Sequence, residues 1–185
     1  MYDGASALAE AAFLSCGVKR REKVVLARNV HPEYRTVTET YARFRGVEVE
    51  QVGYSGGRVD TEDLASTLGD DVAAVLIQSP NFFGVIEDVA EIAEMVHKSG
   101  ALLVVSADPL SMALFEPPGG LGADIVTGEG QALGNPPSYG GPHFGFLAAT
   151  KKFLRKMPGR IVGQTVDKSD RRGFVLTLQA REQHI

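Results

Sequence analysis

The side chains in this sequence with chemistry to offer collect where apolar runs end. Glu129 and Gln131 sit in Gly128-Glu129-Gly130-Gln131, directly after Asp124-Ile125-Val126-Thr127, and the flanking glycines let such a segment approach a ligand closely. Their spacing fits no standard metal or phosphate motif, so by themselves they offer only a carboxylate and an amide. His143, after Gly140-Gly141-Pro142, carries a ring that ionises near neutrality and could serve as acid or base, although a lone histidine is more often structural. His31, His97 and His184 read as helix-start, helix-surface and terminal residues. Asp108 follows an apolar run at 101–105 and could pair with a ring nitrogen of a heteroaromatic cofactor, or form the turn before Pro109. Ser79-Pro80-Asn81-Phe82-Phe83-Gly84 could set an aromatic ring over a planar ligand, but packing of Phe82 or Phe83 into the core is the favoured expectation.

Several other chemistries have no footing. Cys16 is the single cysteine, which rules out an internal disulfide framework and a multi-cysteine metal site and fits a reducing compartment; it reads as a small core or helix-end residue. No Gly-x-Ser-x-Gly elbow, phosphate-binding Gly-Lys-Ser/Thr or dinucleotide fingerprint occurs in usable context, since Gly128-Glu129-Gly130 is not followed by the helix a fingerprint needs. Net charge is -4, and the basic residues are scattered apart from Lys19-Arg20-Arg21 and the 151–156 stretch, so a nucleic-acid partner is not expected. No window is apolar for long enough to span a membrane and no signal pattern opens the chain, which leads to the expectation of a soluble, cytoplasmic protein.

The elements that must hold those residues follow from hydrophobic period and punctuation. An alanine-dense helix starts near Gly4 with Asp3 placed to cap it. A strand at 23–28, a helix from His31-Pro32-Glu33 to about Phe44 and a strand at 47–54 form one βαβ unit. A helix beginning at Thr61-Glu62-Asp63, a buried strand at 72–78, a helix at 89–98 ended by Gly100 and a strand at 101–105 repeat the pattern. A short strand at 122–127, a glycine- and proline-rich loop at 128–142 and a strand at 144–150 follow, and the alternating segments around 162–165 and 173–178 could form a hairpin or an arm. Strands alternating with helices predict an α/β fold with a mainly parallel, doubly wound sheet, whose ligands bind at the carboxyl ends of the strands. The expected division is residues 1–160 as the large domain and 161–185 as an arm, within a longer natural chain.

Five strings give the sequence a family resemblance. They are Tyr2-Asp3-Gly4-Ala5-Ser6-Ala7-Leu8-Ala9-Glu10-Ala11, Asp124-Ile125-Val126-Thr127-Gly128-Glu129-Gly130-Gln131, Ser138-Tyr139-Gly140-Gly141-Pro142-His143-Phe144-Gly145, Arg160-Ile161-Val162-Gly163 and Leu178-Gln179-Ala180-Arg181-Glu182-Gln183-His184-Ile185. In family order along the whole chain, they resemble the alpha-type P-protein subunits of glycine decarboxylase. The resemblance implies a fold type I large domain of the kind that carries pyridoxal phosphate, with the site at the carboxyl edge of the sheet. It also implies an alpha2beta2 assembly with a beta-type P-protein subunit, acting on glycine and passing its aminomethyl group to lipoyl H-protein.

Residue by residue, the resemblance places Gln131 where the beta-type subunit has its Schiff-base lysine, Ser106 nearest the aspartate facing the pyridine nitrogen, with Asp108 two residues away, and Phe83 near the ring-stacking histidine. Glutamine has no nucleophilic amine and cannot form the Schiff base. The expectation is therefore that this chain binds no cofactor, that pyridoxal phosphate resides in the beta subunit, and that Ser106, Asp108, Glu129, Gln131, Tyr139 and His143 are pocket or interface residues rather than catalytic ones. Two alternatives remain. An autonomous pyridoxal-phosphate aminotransferase or lyase would need another lysine, yet Lys98, Lys151, Lys152 and Lys156 fall in or beside helices and Lys168 in the tail. A non-catalytic scaffold domain is the other.

Overall fold

In a computed structural model, residues 1–159 and 161–177 are described. Two sequence expectations fall outside them: the motif position Arg160 and the segment 178–185, which includes His184.

Helix α1 (Gly4–Lys19) opens on a reciprocal cap, in which Asp3 Oδ1 accepts from Ser6 N at 2.7 Å and Ser6 Oγ accepts from Asp3 N at 3.0 Å. It is buried on nearly all sides, which its alanine-rich composition permits. Strand β1 (Lys23–Ala27) leads to α2 (Pro32–Arg43), whose first turn is capped by His31 Nδ1 accepting from Glu33 N, and then to β2 (Glu48–Val52). A two-residue hairpin, β3 (Tyr54–Ser55) and β4 (Arg58–Val59), precedes α3 (Thr61–Thr67), capped by Asp60. Next come β5 (Val72–Ser79), α4 (Val89–Lys98) capped by Asp88, β6 (Leu102–Ala107), β7 (Ile125–Glu129) and β8 (Gly145–Ala149). The antiparallel pair β9 (Ile161–Val166) and β10 (Arg172–Thr177) lies outside the main sheet.

The main sheet runs β2-β1-β5-β6-β7-β8, with every neighbouring pair parallel except β7 and β8. Strands β1, β5 and β6 form the centre of the core, and their near-continuous Val, Leu, Ile and Ala runs are what burial on both faces selects. The crossover helices α2 and α4 lead to opposite sides of the sheet, from β1 out to β2 and from β5 out to β6, and α1 packs against α2 and the central strands. Strand order reverses between β1 and β5, and the segments following both strands open onto the carboxyl edge.

The βα alternation matches the sequence reading, with corrections at the ends of elements. Strand β6 extends through Ser106 to Ala107, so Ser106 is a buried strand residue rather than one beyond the strand. Gly128 and Glu129 belong to β7, so the loop begins only at Gly130. The expected strand at 47–54 breaks after Val52 and resumes as β3. Phe82 and Phe83 are not core residues: they are 49% and 48% exposed, forming a surface aromatic row with Tyr54 and His31.

Candidate functional site

The carboxyl edge beyond β7 is organised by Glu129. Its Oε2 accepts from Gly4 N at 3.0 Å, the first residue of α1, while its Oε1 accepts from Gln131 N at 2.9 Å and Phe144 N at 3.1 Å. His143 Nδ1 lies 3.8 Å from Oε2. One carboxylate thereby satisfies an orphan helix amide, adds negative charge at the positive end of α1, and ties both ends of the 130–144 loop together. Tyr34, on α2, packs close by, and its phenol is pushed up to about 12, first by burial and then by the charges of Glu129 and Asp3.

Glycines make this closeness possible. A Cβ on Gly4 would stand inside contact distance of the Tyr34 hydroxyl, one on Gly128 would strike the Ala107 carbonyl, and one on Gly130 would enter the Phe144 ring. The glycines around Glu129 thus admit the protein's own backbone and rings, not a ligand as the sequence alone suggested.

The expected site residues are only partly assembled. Glu129, Gln131 and His143 come together, and the half-buried Gln131 opens on a shallow recess of about 500 Å³ shared with Asn135, Pro136 and Pro137. Tyr139 is fully exposed at the loop tip, in a left-handed conformation (φ 49°). Ser106 is buried on β6, in register with Thr127 of β7. Asp108 is exposed and makes a turn: its carboxylate accepts from Leu110 N at 3.0 Å, and its carbonyl accepts from Ser111 Oγ.

Two polar constellations had no signal in the sequence. Where the strand order reverses, buried Glu87 accepts from Asn29 Nδ2 (2.6 Å), Asn81 Nδ2 (2.7 Å) and Val59 N (3.1 Å), filling the crevice between the segments after β1 and β5 with internal hydrogen bonds. On the opposite edge, buried Asp124 accepts from Lys152 Nζ (2.8 Å) and Leu103 N (3.1 Å) and lies 2.8 Å from His97 Nε2. Burial raises the Asp124 carboxyl, but the hydrogen bonds from Lys152, His97 and Leu103 prevail and hold it below the usual range. His97, read as a surface residue, is half-exposed yet tied to this carboxylate. The partners in both clusters are too far apart in sequence for spacing to reveal them.

The residues present do not fit pyridoxal phosphate. That cofactor needs a lysine amine at the carboxyl edge, whereas Lys19, Lys23 and Lys98 lie at the opposite ends of their elements. Lys151, Lys152 and Lys156 follow β8, which runs antiparallel to β7 and so returns to the amino edge, and Lys168 sits in the turn of the β9–β10 hairpin. At the start of α1, Gly4 N and Ser6 N, which could receive a phosphate, already meet the carboxylates of Glu129 and Asp3. Among the described residues, no His, Cys, Asp and Glu group could hold a metal ion, and no helix is long and apolar enough to cross a membrane.

Known proteins resemble this chain along its whole length. The family model described as Glycine cleavage system P-protein matches residues 1–185. A probable glycine dehydrogenase (decarboxylating) subunit 1 from Desulfitobacterium hafniense is 59% identical over all 185 residues, and one from Moorella thermoacetica is 53% identical over 184. The chain covers 42% and 41% of those two proteins, so it spans about two fifths of their length. Among solved structures, an inhibitor-bound glycine decarboxylase (P-protein) of the glycine cleavage system superposes with a TM-score of 0.92 at 49% identity, over 98% of this chain and 40% of that one. A sphingosine-1-phosphate lyase from Burkholderia pseudomallei, at 14% identity over 96% of this chain and 42% of its own, shares the fold alone with a TM-score of 0.67. The sheet is accordingly that of a fold type I pyridoxal-phosphate-dependent enzyme, and the chain belongs to the glycine cleavage system P-protein family.

Proposed function

We propose that this chain is part of the alpha-type subunit of glycine dehydrogenase (decarboxylating), and that it completes an active site whose pyridoxal phosphate is held by a beta-type partner. The observation that carries the reading is the full-length match to proteins named subunit 1. The placement of Gln131, and of the lysines on and beside the main sheet away from its carboxyl edge, supports assigning the cofactor to the partner. In an alpha2beta2 assembly in the cytoplasm, the enzyme would decarboxylate glycine and pass the aminomethyl group to lipoyl H-protein.

This chain's own contribution is positioning. Glu129 fixes the base of the 130–144 loop, so Gln131 and His143 present an amide and an imidazole at the edge while Tyr139 reaches outward from the loop tip. Ser106 would sit deeper, buried on β6, and the exposed Asp108 to one side, in the turn after it. Residues 1–160 would act as the large domain and 161–185 as an arm.

Carbon dioxide release from carboxyl-labelled glycine, with lipoyl H-protein present, tests the reading. Activity is expected only when this chain and a beta-type subunit are combined, and His143→Ala is expected to lower it without dissociating the complex. Turnover by this chain alone, or equal turnover by the partner without it, would overturn the proposal.

A further inference from the structure

We propose that a recess at the amino edge of the sheet, walled by Arg20, Arg21 and Arg45, is a binding site for a small phosphate dianion, either the free ion or a phosphate monoester. The recess holds about 530 Å³ and is also lined by Phe13, Cys16 and Glu22. It lies where α1 ends and β1 begins, across the sheet from Glu129, and the proposal stands apart from any reading of the carboxyl edge.

Two of the three guanidiniums are oriented by contacts of their own. The Arg45 guanidinium lies 4.6 Å over the Phe13 ring, which itself stacks on Tyr41, so a cation–π contact helps to hold it at the recess. Arg21 donates through Nη1 to the Val72 carbonyl at 2.6 Å, which anchors one side of its fork. Among the described residues neither Arg20 nor Arg45 is paired with a carboxylate, and in the lining Glu22 alone opposes the three charges. Cys16 adds no charge: burial and Glu22 push its thiol up to about 11.

Arg20 stands where glycine would be easier. It follows α1 in the left-handed region (φ 56°, ψ 44°), a place glycine ordinarily takes because a Cβ is strained there. Complementing helix dipoles does not require this, since Lys19 and Arg43 already occupy the last turns of α1 and α2. In a chain of net charge -4, a concentration of guanidiniums around a concave surface singles out an anion. Planar forks match tetrahedral phosphate oxygens in bidentate pairs, and the net positive lining suits a dianion better than a monocarboxylate.

Isothermal titration of the chain with inorganic phosphate, against chloride at matched ionic strength, tests the assignment. Saturable binding is expected, weakened about tenfold by Arg45→Gln through loss of one charge-assisted pair. Arg20→Gly is the second variant: it should weaken phosphate binding similarly while leaving the thermal midpoint without phosphate equal or higher, because the backbone strain is relieved. Glycerol 3-phosphate binding more tightly than inorganic phosphate would assign the recess to a monoester, and equal or weaker binding to the free ion. No saturable response beyond that of chloride, or undiminished binding in both variants, would overturn the proposal.

Discussion

Replacing Glu129 with glutamine should loosen the whole carboxyl edge, because one side chain holds α1 and both ends of the loop. The carboxylate accepts three backbone N–H groups at 2.9–3.1 Å with its side chain only 25% exposed. Hydrogen bonds to a charged acceptor contribute about 1.5–3 kcal/mol each, and neutral ones about 0.5–1.5 kcal/mol. Glutamine keeps one acceptor oxygen and turns an NH₂ toward whichever amide the other oxygen served. Discounting for the exposed quarter, the loss is about 2–4 kcal/mol, or roughly a 5–12 °C fall in thermal midpoint for a chain of this size. Urea unfolding followed by far-UV circular dichroism would measure the loss, and amide exchange at Gly4, Gln131 and Phe144 would localise it. A variant within about 0.5 kcal/mol of wild type, or with unchanged protection at those three amides, would refute the role given to Glu129.

Asp124→Asn should cost about 2–4 kcal/mol near neutral pH, since it uncouples α4 and the 151–156 turn from a buried acceptor, with the Lys152 share reduced by that residue's exposure. Its carboxyl is held below its ordinary 3.8, so the stabilisation is complete above that value and is lost as pH falls through the lower native one. Urea midpoints of wild type and variant should therefore converge on acidification below about pH 4. Gly4→Ala should cost about 1–3 kcal/mol by driving a methyl group against Tyr34, and Tyr34→Phe should recover part of it in a double-mutant cycle measured by urea unfolding. Cys16, with its thiol near 11, should react slowly with iodoacetamide at pH 8 in the native chain and rapidly in urea.

The parts of the fold that showed in the sequence are those that local rules control. Buried parallel strands such as 72–78 read as unbroken apolar runs, α1 and α2 announce themselves with Asp3 and Pro32 at their starts, and α4 with Gly100 past its end. The antiparallel direction of β8 was not legible, because a five-residue strand carries no mark of its polarity. Phe82 and Phe83 deceived because composition assigns aromatics to the interior, whereas these two pack on each other, on Tyr54 and on His31 at the surface. The candidate site divided along similar lines. Gln131 and Glu129 stood out in a short glycine-flanked string, but the use of Glu129 as a bracket for Gly4 depends on a contact spanning 125 residues, which no local pattern encodes. Glu87 gave no signal, because its role depends on Asn29, 58 residues away, and on Asn81 closing on the same carboxylate.

The claim that this chain is the cofactor-free side of a two-subunit enzyme is tested most directly by borohydride trapping. Pyridoxal phosphate and borohydride would be added to this chain alone and to its mixture with a beta-type subunit, with the mass of each chain read afterwards. The account predicts an adduct on one lysine of the partner and none on this chain. Stoichiometric labelling of Lys98, Lys152 or any other single lysine here would contradict it and make the chain a cofactor-bearing enzyme in its own right.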